Sequence, residues 1–283
     1  MKPTEPQSGT RVGIVGLGSV GSALRHALSW YVECAGYDVK GKHDWSAILS
    51  TNVVFVCVDT PGGPDGRLDC SRVEHVLGRL EADAYGGVVA VRSTLRAGFM
   101  NRAVGLHPRL RLVYMPEFLR ERSRLQWSVN PDRLVYAGSA EDVAIVAKCF
   151  QWVESAEIIE TDFLSAEVGK LAHNAFIATK VSFTNEIERI ASELGAKPDD
   201  VMDIVSADRR VVSKEHLTPY LGPYGGKCVP KDTLELMSAA RQPTLLRAVH
   251  EVNEYCKTQP LSAGVTGAPQ PRVAGPTSTE GGN

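Results

Sequence analysis

The sequence predicts an α/β protein in which a Rossmann-type parallel sheet is followed by an all-helical domain built around one long helix. Three observations carry that expectation. Short β-branched runs alternate with stretches of helical spacing over about the first 157 residues, the pattern of a parallel sheet covered on both faces. A glycine-rich turn follows the first of these runs. Beyond residue 158 the strand signal stops, and long helix-period stretches take over.

The strands are expected at 12–15, 32–37, 53–58, 87–91, 111–114 and 134–137, with helices between them at 20–30, 71–82 and 140–153. From 164 to 194 the chain has no proline, and its single glycine, Gly169, weakens a helix without breaking it. Further helices are expected at 198–206, 231–240 and 244–257, the last with an apolar stripe of Leu245, Leu246, Val249 and Val252. Residues 260–283 have no aromatic and are mostly Gly, Pro, Ser and Thr, too little apolar material to offset chain entropy. The organisation expected is therefore a dinucleotide-type domain at 11–157, a helical domain at 158–258 and a disordered tail at 259–283. At roughly 150 residues per domain, 283 residues agree with two folded units.

Composition excludes several classes of function. Lys and Arg number 31 against 33 Asp and Glu, for a formal net charge of −2, so the chain lacks the basic excess of a nucleic-acid binder. No apolar run reaches the ~20 residues of a membrane helix, and the first ten residues are polar. A cytoplasmic protein is expected. The six cysteines (34, 57, 70, 149, 228 and 256) form no CxxC or CxxH pair, so neither a zinc site nor a disulfide framework is expected.

Four constellations carry chemistry. Gly16-Leu17-Gly18-Ser19-Val20-Gly21 stands between a strand and a helix, the Rossmann-type context in which such glycines bind a dinucleotide. The first glycine makes the turn, the second lets a pyrophosphate approach, and the third lets the helix pack on the strand. The helix start then offers unpaired N–H groups to the phosphates. Asp38, about 20 residues on, is placed for the ribose hydroxyls and favours NAD over NADP, with Lys40 and Lys42 tempering that choice. The plain alternative is a glycine-rich turn without a dinucleotide.

In Gly222-Pro223-Tyr224-Gly225-Gly226-Lys227-Cys228-Val229-Pro230-Lys231-Asp232, Pro230 suits a helix start, which with Lys231 would favour a Cys228 thiolate. Such a thiol captures an aldehyde and carries a thioester; a buried structural cysteine is the alternative. Lys170 and Asn174, four apart on one helix face, would hold the oxygen of an oxidising alcohol. Spacing alone leaves Lys170 equally readable as a solvated charge, and His173, one position off that face, reads as structural. Glu117 and Glu121 after the fifth strand, and Thr94 after the fourth, stand at strand ends where ligands bind, and suit activating and orienting a water. By itself Glu121 reads better as a partner of Arg120, Arg122 and Arg124.

From Arg11 to about Lys257 the chain resembles the UDP-glucose/GDP-mannose dehydrogenase family. The resemblance rests on GLGSVG, VDTP (58–61), RSTLRAG (92–98), PEFLRE (116–121), the Lys170/Asn174 helix running into Asn185-Glu186, and GGKCVPKD (225–232). It implies oxidation of a sugar nucleotide's C6 alcohol to a carboxylate with two NAD in turn. Cys228 would be the nucleophile, Lys170 and Asn174 the oxyanion holders, Asp232 and Thr94 the positioners of a water, and Glu117 the aid to thioester hydrolysis. The NAD site would comprise Gly16, Gly18, Ser19, Val20, Gly21, Asp38, Thr60 and Thr94. The substrate would meet Glu117, Phe118, Leu119, Glu121, Lys170, Asn174, Tyr224, Gly225, Lys231 and, often across a dimer built on the long helix, Arg209.

Three departures qualify the resemblance. The family's third, nucleotide-holding domain is not expected after residue 258. Pro223 stands where a glycine is usual, and Arg210-Val211 where an apolar residue and glycine are usual. A smaller sugar or nucleoside substrate, or a partner chain supplying the absent domain, is compatible with these. Two alternatives remain: a two-electron β-hydroxyacid-type dehydrogenase, which has no need of Cys228, and a non-catalytic nucleotide-binding relative.

Overall fold

The computed structural model describes residues 9–41, 43–63, 67–119, 123–211, 223–225 and 241–258. Its elements are β1 Arg11–Val15, α1 Ser19–Leu28, β2 Glu33–Tyr37, α2 Trp45–Leu49, β3 Val53–Val56, α3 Ser71–Ala82, β4 Val88–Val91 and α4 Phe99–Leu106. They continue with β5 Arg111–Tyr114, α5 Arg124–Val129, β6 Arg133–Ala137, α6 Ala140–Lys148, β7 Glu157–Thr161 and α7 Phe163–Glu193. After α8 Pro198–Ser206 come a 3-10 turn, Arg209–Val211, and α9 Thr244–Thr258.

The strands form one sheet in the order β2-β1-β3-β4-β5-β6-β7. Strand order reverses beside β1, so its topological switch point lies between β1 and β3, where open α/β sheets bind ligands beyond the strands' carboxyl ends. β3 (VVFV) and β4 (VVAV) are buried along their whole length, as central parallel strands must be. Alternate side chains feed two cores. One face packs Val54, Val56, Val89 and Val91 against Val73 and Leu77 of α3 and Met100 of α4. The other packs Val53, Phe55, Cys57, Val88 and Ala90 against Leu24 and Leu28 of α1 and Val143 and Val146 of α6.

Two features differ from the sequence expectation. The sheet is not wholly parallel, because β6 meets β5 antiparallel, through the single register pair Tyr114↔Ala137. Both strands are apolar runs, and apolar runs carry no mark of direction. A seventh strand, β7, pairs parallel with β6 from Arg133↔Glu157 to Ala137↔Thr161. Its EIIET sequence leaves Glu157, Ile158 and Glu160 exposed, as an edge strand allows, and so lacks the apolar run that marks the others.

The chain divides into two compact units between Phe176 and Ile177, inside α7; the sequence reading ends its first domain at 157. Asp162 starts α7 by accepting from the Ser165 amide at 2.9 Å. In the second unit Glu186 accepts from the Leu245 and Leu246 amides at 2.9 and 3.1 Å, capping the start of α9. Ile187, Ile190 and Leu246 form a small core there. The helix expected at 231–240 and the tail expected at 259–283 lie outside the described residues.

Candidate active site

The Gly16–Gly21 turn leaves the carboxyl end of β1 at the switch point. Gly16 has φ +92°, and a Cβ there would lie 2.7 Å from the Cys57 carbonyl oxygen. At Gly21 a Cβ would lie 1.9 Å from the Gly16 carbonyl oxygen. The fold itself demands these two glycines. Gly18 is different: its φ is −68°, open to any residue, and nothing stands within 4 Å of where its Cβ would be. Among the described residues nothing in the fold requires a glycine at that position, which leaves it open to a ligand. The residues present therefore fit a dinucleotide, whose pyrophosphate would face the start of α1 with Ser19 and Val20.

Asp38, at the end of β2, does more than the sequence suggests. Its carboxylate accepts from the Leu17 amide at 2.8 Å and the Lys40 amide at 2.9 Å, so it also fixes the turn. The Lys40 and then the Leu17 amide hold the carboxyl below its ordinary range, keeping it ionised. Each carboxylate oxygen keeps a second lone pair for a ribose hydroxyl. Beyond β3 and β4, the Thr60 hydroxyl donates to the Thr94 carbonyl at 2.8 Å, tying together the loops that follow these two strands.

Farther along the same carboxyl edge lies buried charge. Glu117, just past β5, accepts from the Leu119 amide at 2.6 Å through one oxygen. The other stands 3.3 Å from the Lys170 ammonium of α7. The Lys170 side chain is only 4% exposed, which removes the reading of a solvated surface charge. Burial pushes its pKa below the usual lysine range; Glu117 opposes this, while the guanidinium groups of Arg133 and Arg92 act with burial. Two cations lie near the Phe118 ring, the Arg133 guanidinium carbon 4.0 Å and the Lys170 nitrogen 5.0 Å from its centroid. His173 meets the same ring edge-on at 5.3 Å.

Not every expected residue joins this cluster. Asn174 is exposed, and its side-chain oxygen lies 3.1 Å from the His173 ring. In the second unit Arg209 is exposed in the 3-10 turn, Gly225 is exposed, and the Tyr224 hydroxyl is buried without a partner. Glu121, Cys228, Lys231 and Asp232 lie outside the described residues.

Three residues that sequence reasoning missed belong to the site. Arg133 flanks Phe118, and Arg92 is taken up below. Glu167 is fully buried on α7 and accepts from the Gly98 amide at 2.6 Å and the Met100 amide at 2.7 Å. Gly98 caps α4 with φ +82° and has no side chain for the purpose, so a carboxylate from a distant helix serves instead. Glu167 thereby ties the loop of Thr94 to the helix of Lys170, one turn away. Its place in the buried Glu-x-x-Lys stripe of α7 was the available signal.

Comparison with known proteins decides the lineage. Two models of one family match the chain in succession: the UDP-glucose/GDP-mannose dehydrogenase NAD binding domain over residues 31–153, and that family's central domain over 164–255. This chain belongs to the UDP-glucose/GDP-mannose dehydrogenase family. Among similar dehydrogenases, UDP-glucose 6-dehydrogenase TuaD of Bacillus subtilis is 32% identical over 221 residues, covering 74% of this chain and 48% of its own. The putative UDP-glucose 6-dehydrogenase YtcA of the same organism is 34% identical over 224 residues, covering 74% and 52%. The chain thus spans about half the length of the curated dehydrogenases it matches. A GDP-mannose dehydrogenase of Pseudomonas aeruginosa, solved as a ternary complex, superposes with a TM-score of 0.79 at 25% identity, over 88% of this chain and 69% of that one. A UDP-glucose dehydrogenase of the archaeon Pyrobaculum islandicum gives 0.66 at 28%, over 89% and 70%. The cofactor of the matched domain is NAD, and no helix among the described residues is long and apolar enough to cross a membrane.

Proposed function

We propose that the chain oxidises the primary alcohol of a nucleotide sugar, or of a smaller related sugar or nucleoside, to a carboxylate. One alcohol, two NAD and one water give one carboxylate, two NADH and three protons. The observation that carries this reading is the buried Lys170–Glu117 pair at the carboxyl edge of the sheet, the edge that also carries the Gly16–Gly21 turn. Bound NAD supplies the acceptor for each hydride; the remaining work falls to the chain.

Lys170, with Asn174 turned inward from its present contact, holds the substrate oxygen as the alcohol loses its proton and stabilises the oxyanion. Burial and neighbouring guanidinium groups make the Lys170 ammonium more acidic than an exposed lysine, which suits it to proton traffic with that oxygen. The Cys228 sulfur adds to the aldehyde carbon to give a thiohemiacetal, and loss of the second hydride leaves a thioester. Water positioned by Thr94 and Asp232 attacks the thioester carbon. Glu117 takes the water's proton, and the C–S bond breaks to release carboxylate and thiol. Arg209, Tyr224, Gly225, Lys231, Phe118, Leu119 and Glu121 are assigned to the substrate.

A homodimer through α7 fits the exposed Leu164, Val168 and Phe176, which lie at multiples of four residues on one stripe of that helix. The cytoplasm, where NAD is held and thiols stay reduced, suits five free cysteines among the described residues. Mass spectrometry of products from Cys228→Ala tests the chemistry. Aldehyde without acid is the expected result, and unchanged acid output would remove Cys228 from the mechanism.

A further inference from the structure

Arg92 follows β4 directly and is 7% exposed, yet its Nε and Nη1 atoms are buried without a hydrogen-bond partner. Among the described residues no carboxylate pairs with it; its guanidinium carbon lies 5.9 Å from the Phe150 ring centroid. Arg92 and Arg133 both act electrostatically on Lys170, which Glu117 pairs at 3.3 Å; Asp132 and Glu157 act on Arg133. A buried charge without a partner is among the more destabilising features a fold can carry. Its retention points to a partner that comes and goes.

The position says what that partner is. Strand alternation puts Arg92 on the face of Val88 and Ala90, the face that carries Cys57 and is covered by α1 and α6. Val91 pairs with Val56 and Val56 with Val15, so Gly16, Cys57 and Arg92 follow one another across three neighbouring strand ends. Arg92 thus stands two strand spacings, about 10 Å, from the turn that opens α1, on the side where that helix begins. We propose that Arg92 binds a diphosphate oxyanion of the ligand entering at this edge, the pyrophosphate of NAD being favoured because it shares the α1 face. A guanidinium suits this task, since its planar donors match phosphate geometry. The proposal rests on the cofactor site described above and not on the oxidation chemistry.

The charge is unmatched only while the ligand is absent, so one substitution has opposite effects on the two states. In Arg92→Met, the ligand-free protein is expected to melt about 2–4 °C higher or more, because a buried cation gives way to a thioether. Calorimetric titration should show NAD and ADP-ribose, which share the pyrophosphate, both weakened at least about 30-fold. Arg92→Lys keeps the charge and should recover part of the affinity. UDP-glucose binding should be unchanged. Weakening of UDP-glucose alone would retain the diphosphate and assign it to the substrate. A lower melting temperature in Arg92→Met with unaltered affinity for all three ligands would make Arg92 structural and overturn the proposal. That outcome would leave NAD binding by the wild-type chain intact, so it is distinct from failure of the cofactor site, in which the wild type itself binds no dinucleotide.

Discussion

Around the Gly16–Gly21 turn the ligand cradle is backbone: amide groups, bare α-carbons and one ionised carboxylate held by two amides. At the ends of β4 and β5 it is made of buried charge, with Lys170 against Glu117 at 3.3 Å, Glu167 closed on two amides, and Arg92 without a partner. In the backbone cradle the one charge, on Asp38, is already held by two amides. The charged half is stable only where each charge has been matched, and Arg92 is the place where it has not. Affinity for the cofactor is therefore assigned to the first region together with Arg92, and chemistry to the Lys170–Glu117 part of the second.

That division can be broken by substitution. The largest effect is expected from Gly21→Ala, whose added carbon would collide with the Gly16 carbonyl; NAD binding should vanish in a direct titration, and retained affinity would mean that the turn is not the cradle. Lys170→Met should lower kcat roughly 10²–10³-fold as an oxyanion partner is lost, while NAD affinity stays near wild type. A variant that lost binding instead would merge the two regions. Glu167→Gln keeps the size but turns an amide NH2 toward a backbone N–H. It should destabilise the chain by about 1.5–3 kcal/mol and speed hydrogen exchange at Gly98 or Met100. It should also lower kcat about tenfold with KM little changed. Unchanged exchange would show that the clamp bears no load.

A further effect concerns pH. Burial pushes the Cys57 and Cys149 thiols from an ordinary 9.0 up to about 12. Groups with a raised folded-state pKa lend stability that is complete below pH 9 and fades as the pH climbs toward 12. Urea midpoints should therefore fall over that range, and more shallowly in Cys149→Ala. A flat profile from pH 9 to 11 would contradict the burial of these thiols.

Much of the backbone half was legible because its signal is local. A strand, three glycines at set spacing and an acidic residue at the next strand end lie within one β-α-β unit, and the structure keeps each where the spacing puts it. The charged half is assembled from residues far apart in sequence. Glu117 and Lys170 are 53 positions apart, and helical spacing alone could not say whether Lys170 was buried or solvated. The same spacing put Asn174 on its face, but the side chain is exposed and lies against the His173 ring. Arg92 reads in sequence as a polar stop to an apolar strand, and Glu167 as one more acid on an amphipathic helix. Burial, which sequence does not carry, is what makes either of them informative. β7 escaped for the opposite reason: an edge strand has one wet side, so it lacks the continuous apolar run that betrays β3 and β4.

The most direct measurement is the count of electrons. Run to completion with limiting nucleotide sugar, the reaction should release two NADH for each molecule consumed, and mass spectrometry should find the acid. One NADH per molecule, with the product stopping at a carbonyl, would place the chain among two-electron dehydrogenases and leave Cys228 without a task.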